Sequence, residues 1–388
     1  MPKADTSVKF FTSDMPNGPV LAGVVGRLRQ LLNACLIDGF DTRTINTLTV
    51  SAGIATATIS AGHAYEQYAV IEISGATQAG LNGQWRIATA TATTFTFDTG
   101  GLADGSATGT ITVKRAPLGW LKPFEDVENN VVVYRSPVFE STEMYLRVND
   151  NFTTMARVRG YEQMTNVNTG INPFPTLTQI ADNSFCWQKS TSSDSVVKKW
   201  VLAGTDTYLV LMVYSSSSYP EISVLYEFGD HIKIRPDDMY HCCISAHVAS
   251  APLVGIETSI GTTYGFASSS IASGSYFARN SDQTTLSQQA GWNGYARSLG
   301  GAYSSGNSRI DGVGLDGKAH FYKVFGIDSG EHLRSIRPGV FFRVEAYDSK
   351  DNRKITVHEG VPLLMVRSGY TDNNVHRYVG IQAVGPWA

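Results

Sequence analysis

A short segment concentrates side chains that could bind a metal: His241, Cys242 and Cys243 are followed by His247. Thiolate and imidazole groups are the ligands that zinc prefers in proteins. On a β-strand, His241, Cys243 and His247 share one face, but side chains four residues apart on that face are too distant to hold one ion. The Cys-x2-Cys and helical His-x3-His spacings of zinc sites do not occur here. We therefore expect no metal site at these residues.

Carboxylates lie beside a histidine in the same part of the chain. Asp230 precedes His231, and Asp237 and Asp238 follow Pro236. Paired carboxylates act as general acid and base only when their surroundings separate their pKa values. Proline followed by aspartate is also typical of a β-turn, which is the interpretation that we favour for this segment.

Established catalytic motifs give no stronger signal. Gly-x-Ser-x-Gly, Walker A and His-Glu-x-x-His do not occur in the sequence. The glycine-rich segment 312–317 lacks the strand before it and the helix after it that phosphate binding requires. A short helical turn is expected near Arg334 and Arg337, without a chemical role. The sequence therefore predicts no catalytic residue, no cofactor and no metal, and so a protein that is not an enzyme.

Composition favours an all-β protein rich in turns. Only 17 % of the 388 residues are charged, 37 are glycine, and aromatic residues reach 11 %. The net charge of −3 lacks the positive bias of a nucleic-acid surface, and no apolar run is long enough to span a membrane. The N-terminus has no secretory signal, so we expect synthesis in the cytoplasm. Reduced and mostly buried thiols are expected for the four cysteines, Cys35, Cys186, Cys242 and Cys243.

The sequence pattern of residues 46–115 predicts a small β-module. Apolar residues alternate there with threonine, glutamate or arginine at a period of two, and Asn-Gly or Gly-Gly turns separate the runs. The expected strands are 47–50, 54–59, 68–73, 84–87, 94–97 and 108–113. The series ATATISAGHAYEQYAVIEISGA, with LNGQWRIATATATTFTFDTGG after it, resembles a module of tailed-phage virion proteins and the small β-barrel FCCH-like domain. This resemblance implies a barrel-like fold and no ubiquitin chemistry.

One helix is predicted, from Pro19 to Phe40. Its apolar stripe is formed by Val24, Leu28, Leu31, Leu32 and Cys35. Packing against a sheet is the simpler interpretation, and an oligomer-forming face at Val24, Leu28 and Leu31 is the alternative. A strand at 8–12 precedes the helix and could pair within the chain or with a neighbouring subunit.

The rest of the chain resembles a family of tailed-phage and prophage structural proteins. The motifs that carry the resemblance are LL.ACL..GF, GW.KPF, VYRS, YLRV.D, ARVRGYE.M, TG..PFPT and a terminal GPW. Because the helix of several members runs almost directly into the GW.KP passage, the resemblance implies that 46–115 is inserted into a parent domain. The expected division is 1–45 as the N-terminal part of the parent domain, 46–115 as the insert, and 116–388 as the main domain.

Strand signals continue through the main domain and predict a β-sandwich-like fold, with a central strand at 208–214. The fold class is therefore mainly β, with one N-terminal helix and an inserted small β-barrel-like module. Residues 249–310 are rich in serine, glycine and aromatic residues. We expect either a long mobile loop or, as the favoured interpretation, an ordered excursion that packs against another subunit. These aromatics are expected either to bind a partner or a sugar, or to cover the edges of the sandwich. They are Tyr264, Phe266, Tyr276, Phe277, Trp292, Tyr295 and Tyr303.

Together the resemblance and the composition predict a structural component of a tailed-phage virion, made in the bacterial cytoplasm. We expect it in the tail, baseplate or tail tip, as a homo-oligomer, with a trimer as the first choice. Its expected partners are copies of itself and other virion proteins. The alternatives are a capsid- or collar-associated decoration protein and a module that binds a host surface glycan. A polysaccharide-degrading virion enzyme is a third alternative, although β-helix repeats and convergent carboxylates are not visible.

Overall fold

The computed structural model describes residues 3–182, 184–216, 220, 223–248, 274–294, 321–328, 332–343, 352–370 and 376–387. Antiparallel β-sheets make up most of this part of the chain, with one short α-helix near its beginning. The predicted fold class, a mainly β protein, is therefore confirmed. Within these ranges, no helix has the length and the apolar character that crossing a membrane would require.

The elements follow one another in a simple order. The N-terminal part contains β1 (Lys9–Thr12) and α1 (Arg27–Asn33), which continues as a π-helix (Ala34–Asp38). The next strands are β2 (Phe40–Thr44), β3 (Thr47–Ser51), β4 (Ile54–Thr58), β5 (Val70–Ser74), β6 (Gly83–Arg86, after a 3-10 turn at Ala79–Leu81), β7 (Thr89–Ala90), β8 (Thr94–Asp98), β9 (Gly105–Ser106) and β10 (Thr112–Arg115).

The main domain begins with the strands β11 (Leu121–Asp126), β12 (Val131–Arg135), β13 (Tyr145–Asn149), β14 (Met155–Met164), β15 (Gly170–Phe174), β16 (Phe185–Gln188), β17 (Lys199–Gly204), β18 (Tyr208–Tyr214) and β19 (Val224–Asp230). It continues with β20 (Ile232–Lys233), β21 (Cys242–Ser245), β22 (His247–Val248), β23 (Ser275–Arg279), β24 (Leu286–Gly294), β25 (Phe321–Asp328), β26 (Leu333–Arg343), β27 (Lys354–His358), β28 (Val361–Tyr370) and β29 (His376–Gln382).

The predicted β-module is built from two small sheets, in the orders β2-β10-β5-β6 and β7-β8-β4-β3-β9. All six predicted strands are present, with ends shifted by a few residues. The alternation places Leu48 and Val50 inward on β3, and Phe95 and Phe97 inward on β8. Trp85 stacks on Phe97 with ring centroids 4.8 Å apart, so the aromatic residues of both sheets share one core. Strand β2 lies before the predicted start at residue 46 and joins the module because it pairs with β10.

The helix is shorter than its apolar stripe predicts. Residues 19–26 are not helical, and Leu21 instead forms a β-bridge with Lys198. Helix α1 starts after Gly26, which has a φ of +79°, and no side chain at this position caps it. The Asp150 carboxylate takes that role from 121 residues away, because its Oδ2 accepts a hydrogen bond of 2.9 Å from the Arg29 N–H. The predicted start at Pro19 is therefore wrong.

Two larger sheets form the main domain. A seven-stranded sheet has the order β11-β12-β13-β14-β16-β22, with β15 added to β14. A thirteen-stranded sheet has the order β1-β17-β18-β19-β21-β23-β24-β25-β26-β29-β28-β27, with β20 added to β26. β1 pairs with β17, so the N-terminal strand pairs within the chain. β18 lies between β17 and β19 and is buried along its whole length, which confirms the predicted central strand.

The thirteen-stranded sheet curves back on itself. β20 follows β19 after one residue and pairs with β26, so β19, β21, β23, β24, β25 and β26 surround a common interior. Two predictions are corrected here. Arg334 and Arg337, expected near a helical turn, instead lie on strand β26, because this segment pairs with β25 and β29. The strand assumed to carry both Cys243 and His247 is two strands, because β21 ends at Ser245 and β22 joins the other sheet.

Candidate functional site

A buried carboxylate lies at the centre of this ring of strands. Arg337 Nη2 donates to Glu227 Oε1 at 2.8 Å, and Arg337 Nε lies 2.7 Å from Oε2. The Tyr208 hydroxyl donates to Oε2 and the Ser245 hydroxyl donates to Oε1, both at 2.6 Å. His231 Nε2 lies 3.5 Å from Oε2. These five residues are called the Glu227 cluster below, and both of its carboxylate oxygens are held by donors from other strands.

The cluster keeps its ion pair charged despite complete burial. Burial by itself raises the pKa of Glu227, but the Arg337 guanidinium and the neighbouring His231 outweigh it and hold this pKa well below its ordinary value. Burial opposes the charge of Arg337 as well, and Glu227 nevertheless raises the pKa of the guanidinium. Burial lowers the pKa of His231 and raises that of the Tyr208 hydroxyl, so both groups are neutral near pH 7. The cluster is one ion pair with neutral polar neighbours.

The thiol of Cys243 lies close to Glu227 and His231, so three side chains of metal-binding type meet at the cluster. The ligand atoms of Glu227, His231 and Cys243 all lie within 4.8 Å of one another. The arrangement does not fit a metal cation, because the positively charged guanidinium of Arg337 already contacts both carboxylate oxygens of Glu227. Burial also raises the pKa of the Cys243 thiol, whereas a metal needs the thiolate. Sequence reasoning compared Cys243 only with its neighbours along the chain and so missed Glu227 and Arg337. A glutamate between Tyr226 and Phe228, in the middle of strand β19, is the signal that could have found them.

The carboxylates that suggested acid–base chemistry have structural partners. Asp230 Oδ2 accepts a hydrogen bond of 2.8 Å from the Thr142 N–H, and His241 Nε2 lies 3.9 Å from the same oxygen. Asp238 accepts hydrogen bonds from Arg334 Nε at 2.8 Å and from Arg334 Nη2 at 3.0 Å. The predicted turn is present, and the Asp238 N–H donates to the Arg235 carbonyl across it. These bonds hold loops against the sheet.

A second buried ion pair joins helix α1 to the seven-stranded sheet. Lys189 Nζ lies 2.5 Å from Asp150 Oδ1, and neither side chain is exposed to solvent. The same nitrogen contacts the carbonyl oxygens of Val24 at 2.8 Å and Phe152 at 2.7 Å. Burial raises the pKa of Asp150 and lowers that of Lys189. Sequence reasoning did not single out either residue, because a lone lysine and a lone aspartate 39 residues apart carry no pattern.

The residues proposed for an interface lie in different environments. Leu28 and Leu31 are buried in the core of the chain, and Val24 is partly buried. Tyr276 and Phe277 lie on β23 and are also buried, so their rings pack inside the chain. Trp292 belongs to β24, but the description does not extend to its side chain. Tyr264, Phe266, Tyr295 and Tyr303 lie outside the described residues, as does the glycine-rich segment 312–317.

The phage-like motifs form a connected internal framework. The N–H of Leu118 donates to the Cys35 carbonyl, and the N–H groups of Gly119 and Trp120 donate to the Leu36 carbonyl. The GW passage thus provides hydrogen-bond donors for carbonyl groups at the C-terminal end of the helical segment. The chain enters and leaves the module at neighbouring points, because a Cβ added at Gly39 would lie 2.4 Å from the Arg115 carbonyl oxygen. The division into a parent domain and an insert at 46–115 stays a prediction.

The module is also fixed to both ends of the chain. Arg86, on β6, donates from Nε to the Asp5 carbonyl at 2.6 Å and from Nη2 to the Val8 carbonyl at 2.9 Å. Its Nη1 donates to the Ala383 carbonyl at 3.0 Å. In the terminal GPW motif, the Trp387 ring covers Gly339 and contacts Tyr208 of the Glu227 cluster. The two ends of the chain therefore meet beside the module.

Comparisons with known proteins add little to this description. No protein-family model matches the chain, and no curated protein does. Among solved structures, the chain is similar to one described as phage phi92 endosialidase, with 10 % sequence identity and a TM-score of 0.17. The match covers 89 % of this chain and 52 % of that chain, so this chain spans about half the length of its neighbour. A likeness at this TM-score carries no argument about function.

Proposed function

We propose that the protein is a non-enzymatic structural component of a tailed-phage virion. It belongs to the tail, baseplate or tail tip, and it acts by assembling with copies of itself and with other virion proteins. We infer a trimer, because closed symmetric homo-oligomers are the rule for such components.

One observation carries this proposal: the motifs that resemble phage structural proteins are joined by internal bonds. The Tyr134 hydroxyl of VYRS donates to Asn33 of the helical passage at 2.8 Å. Asp150 of YLRV.D holds helix α1, and Glu162 of ARVRGYE.M binds Arg279 through Nε at 2.6 Å and Nη2 at 2.9 Å. The polar groups of these motifs stabilise the fold. This is the use expected of them in a scaffold.

Purified particles of the phage or prophage that encodes the chain test the proposal. Antibody-gold labelling in the electron microscope should place the protein at the tail, with one set of labels per particle. Labels on the head or the neck would favour the capsid or collar alternative instead. Particles that lack the protein altogether, by labelling and by peptide mass spectrometry, would contradict a virion role.

The glycan-binding alternative gains no support from the described residues. Tyr276 and Phe277 are the two excursion aromatics whose side chains the structure describes, and both are buried. A buried ring cannot stack on a sugar from solvent. Binding to a glycan array by the full chain, lost in the Trp292→Ala variant, would revive this alternative.

A further inference from the structure

Lys189 Nζ lies between the carboxyl group of Asp150 and two backbone carbonyl groups. Two carbonyl oxygens, from Val24 and Phe152, lie within hydrogen-bond distance of Lys189 Nζ. A neutral amine has two N–H groups, and these two carbonyls accept both of them. Its lone pair then faces the carboxyl group of Asp150, whose Oδ1 is 2.5 Å from Nζ.

The carboxyl group is held on its other side. The Arg29 N–H donates to Asp150 Oδ2 at 2.9 Å, so this oxygen is fixed as the one that remains a carbonyl. Oδ1, which faces the amine, is then the oxygen that leaves. Charge that develops on Oδ2 during an attack on Cγ would be stabilised by the same N–H group.

We propose that Lys189 and Asp150 condense to an intramolecular isopeptide bond. The proton of the ammonium passes to Asp150 Oδ1, which gives a neutral amine and a carboxylic acid. Lys189 Nζ then forms a bond to Asp150 Cγ, the bond from Cγ to Oδ1 breaks, and Oδ1 leaves as water with a second proton from Nζ. One secondary amide and one water result, and no oxidant, reductant or further reactant is needed.

Two physical effects favour this reaction here. Complete burial penalises both charges, and it raises the pKa of Asp150 and lowers that of Lys189, which favours the neutral and reactive forms. Fixed proximity also gives intramolecular reactions effective molarities of about 10⁵ M or more. An amide needs only one N–H donor and one carbonyl acceptor to be satisfied, so it costs less to bury than two charges do.

The chain contains a matched pair that should not react. Lys199 Nζ and Asp14 Oδ1 are also 2.5 Å apart, but their side chains are 44 % and 43 % exposed. Water reaches both side chains of this pair and stabilises their charges, so burial does not favour condensation here as it does at Lys189. Distance is the same in the two pairs, but the exposed pair differs in burial and in its second partner, because Asp14 Oδ2 also accepts from Arg353 Nε at 2.6 Å.

Intact mass spectrometry of the full chain tests the proposal. The protein should be lighter than its sequence by the mass of one water, and the Lys189→Arg variant should have its full sequence mass, because a guanidinium does not attack the acid. Trypsin does not cleave after an acylated lysine, so digestion should give a branched species that joins residues 148–157 to 160–198.

Three results would overturn the proposal. The first is an intact mass equal to that of the sequence. The second is a water loss without the branched peptide, as cyclisation of an aspartate would give. The third is a crosslink that maps to Asp14 and Lys199. The wild-type protein decides the question, so the outcome does not depend on whether a variant folds.

Discussion

Two buried ion pairs, Glu227 with Arg337 and Asp150 with Lys189, have opposite electrostatic outcomes. Glu227 and Arg337 keep their charges, since the pKa of Glu227 is held low and that of Arg337 is raised. For Asp150 and Lys189 the directions are reversed, because the penalty of burial exceeds the attraction between the partners. None of the four side chains is exposed to solvent.

The difference lies in the donors that each carboxylate receives. Each oxygen of Glu227 accepts a hydrogen bond from a neutral hydroxyl and also contacts the Arg337 guanidinium. A guanidinium does not lose its proton in a protein. Asp150 faces an ammonium on one oxygen and a backbone N–H on the other. An ammonium loses its proton far more readily than a guanidinium does. Burial therefore preserves an ion pair made with arginine and prepares the one made with lysine for condensation.

Replacement of Lys189 by methionine should have the largest effect on stability. The variant loses a crosslink between positions 39 residues apart, worth about 4 kcal/mol, and the one carbonyl hydrogen bond that the amide N–H can donate, worth about 1 kcal/mol. We expect the free energy of unfolding to fall by about 5 kcal/mol, measured by chemical denaturation. Lys199→Met, which removes the exposed lysine, should cost about 0.5 kcal/mol. Equal losses in the two variants would contradict this account.

Glu227→Gln should have the next largest effect. It leaves the Arg337 guanidinium buried without its negative partner, a change that costs about 3 to 5 kcal/mol. The exposed Glu140 provides the control, because Glu140→Gln removes the same charge without breaking a buried pair. A Glu227→Gln protein as stable as Glu140→Gln would show that the cluster contributes nothing to stability.

The dependence of stability on pH in the acid range should report the titration of Glu227. The folded-state pKa of Glu227 lies below its ordinary value of 4.5, so its contribution is present above pH 4.5 and is lost as the pH falls toward the folded-state pKa. We expect wild-type stability to fall with decreasing pH more steeply than that of Glu227→Gln. Parallel profiles would mean that Glu227 does not titrate with unfolding.

Lys9, a buried lysine, should have the smallest effect on stability, and this effect should depend on pH. Burial lowers its pKa to about 8, and the attraction of Asp206 offsets this only in part. Between about pH 8 and pH 10 the unfolded chain therefore binds a proton that the folded chain has lost. Stability should rise in this window by up to about 1.4 kcal/mol per pH unit. The Lys9→Met variant should lose this slope, whereas Lys354→Met, at an exposed position, should keep it.

Sequence patterns predict those parts of the fold that local residues determine. The strands of the module follow from strict alternation, as in Thr94-Phe95-Thr96-Phe97, because such residues can bury only one face of a sheet. The central strand β18 follows from its continuous apolar run. Gly39 follows the helical segment with a φ of +71°, a backbone conformation that favours glycine.

Long-range contacts explain what the sequence could not predict. The start of α1 depends on Asp150, and no residue near Gly26 indicates this partner. The Glu227 cluster assembles side chains from β18, β19, β21 and β26, whose pairing is fixed only by the complete sheet. A pattern along the chain therefore shows which residues are buried, but not which of them meet.

The mass of the purified full-length protein in solution tests the proposed function most directly. Light scattering across a range of protein concentrations would give it. A component that assembles with copies of itself should have three times the chain mass of 42.1 kDa, with no change on dilution. A monomer at every concentration would contradict self-assembly and would favour recruitment onto an existing capsid or collar.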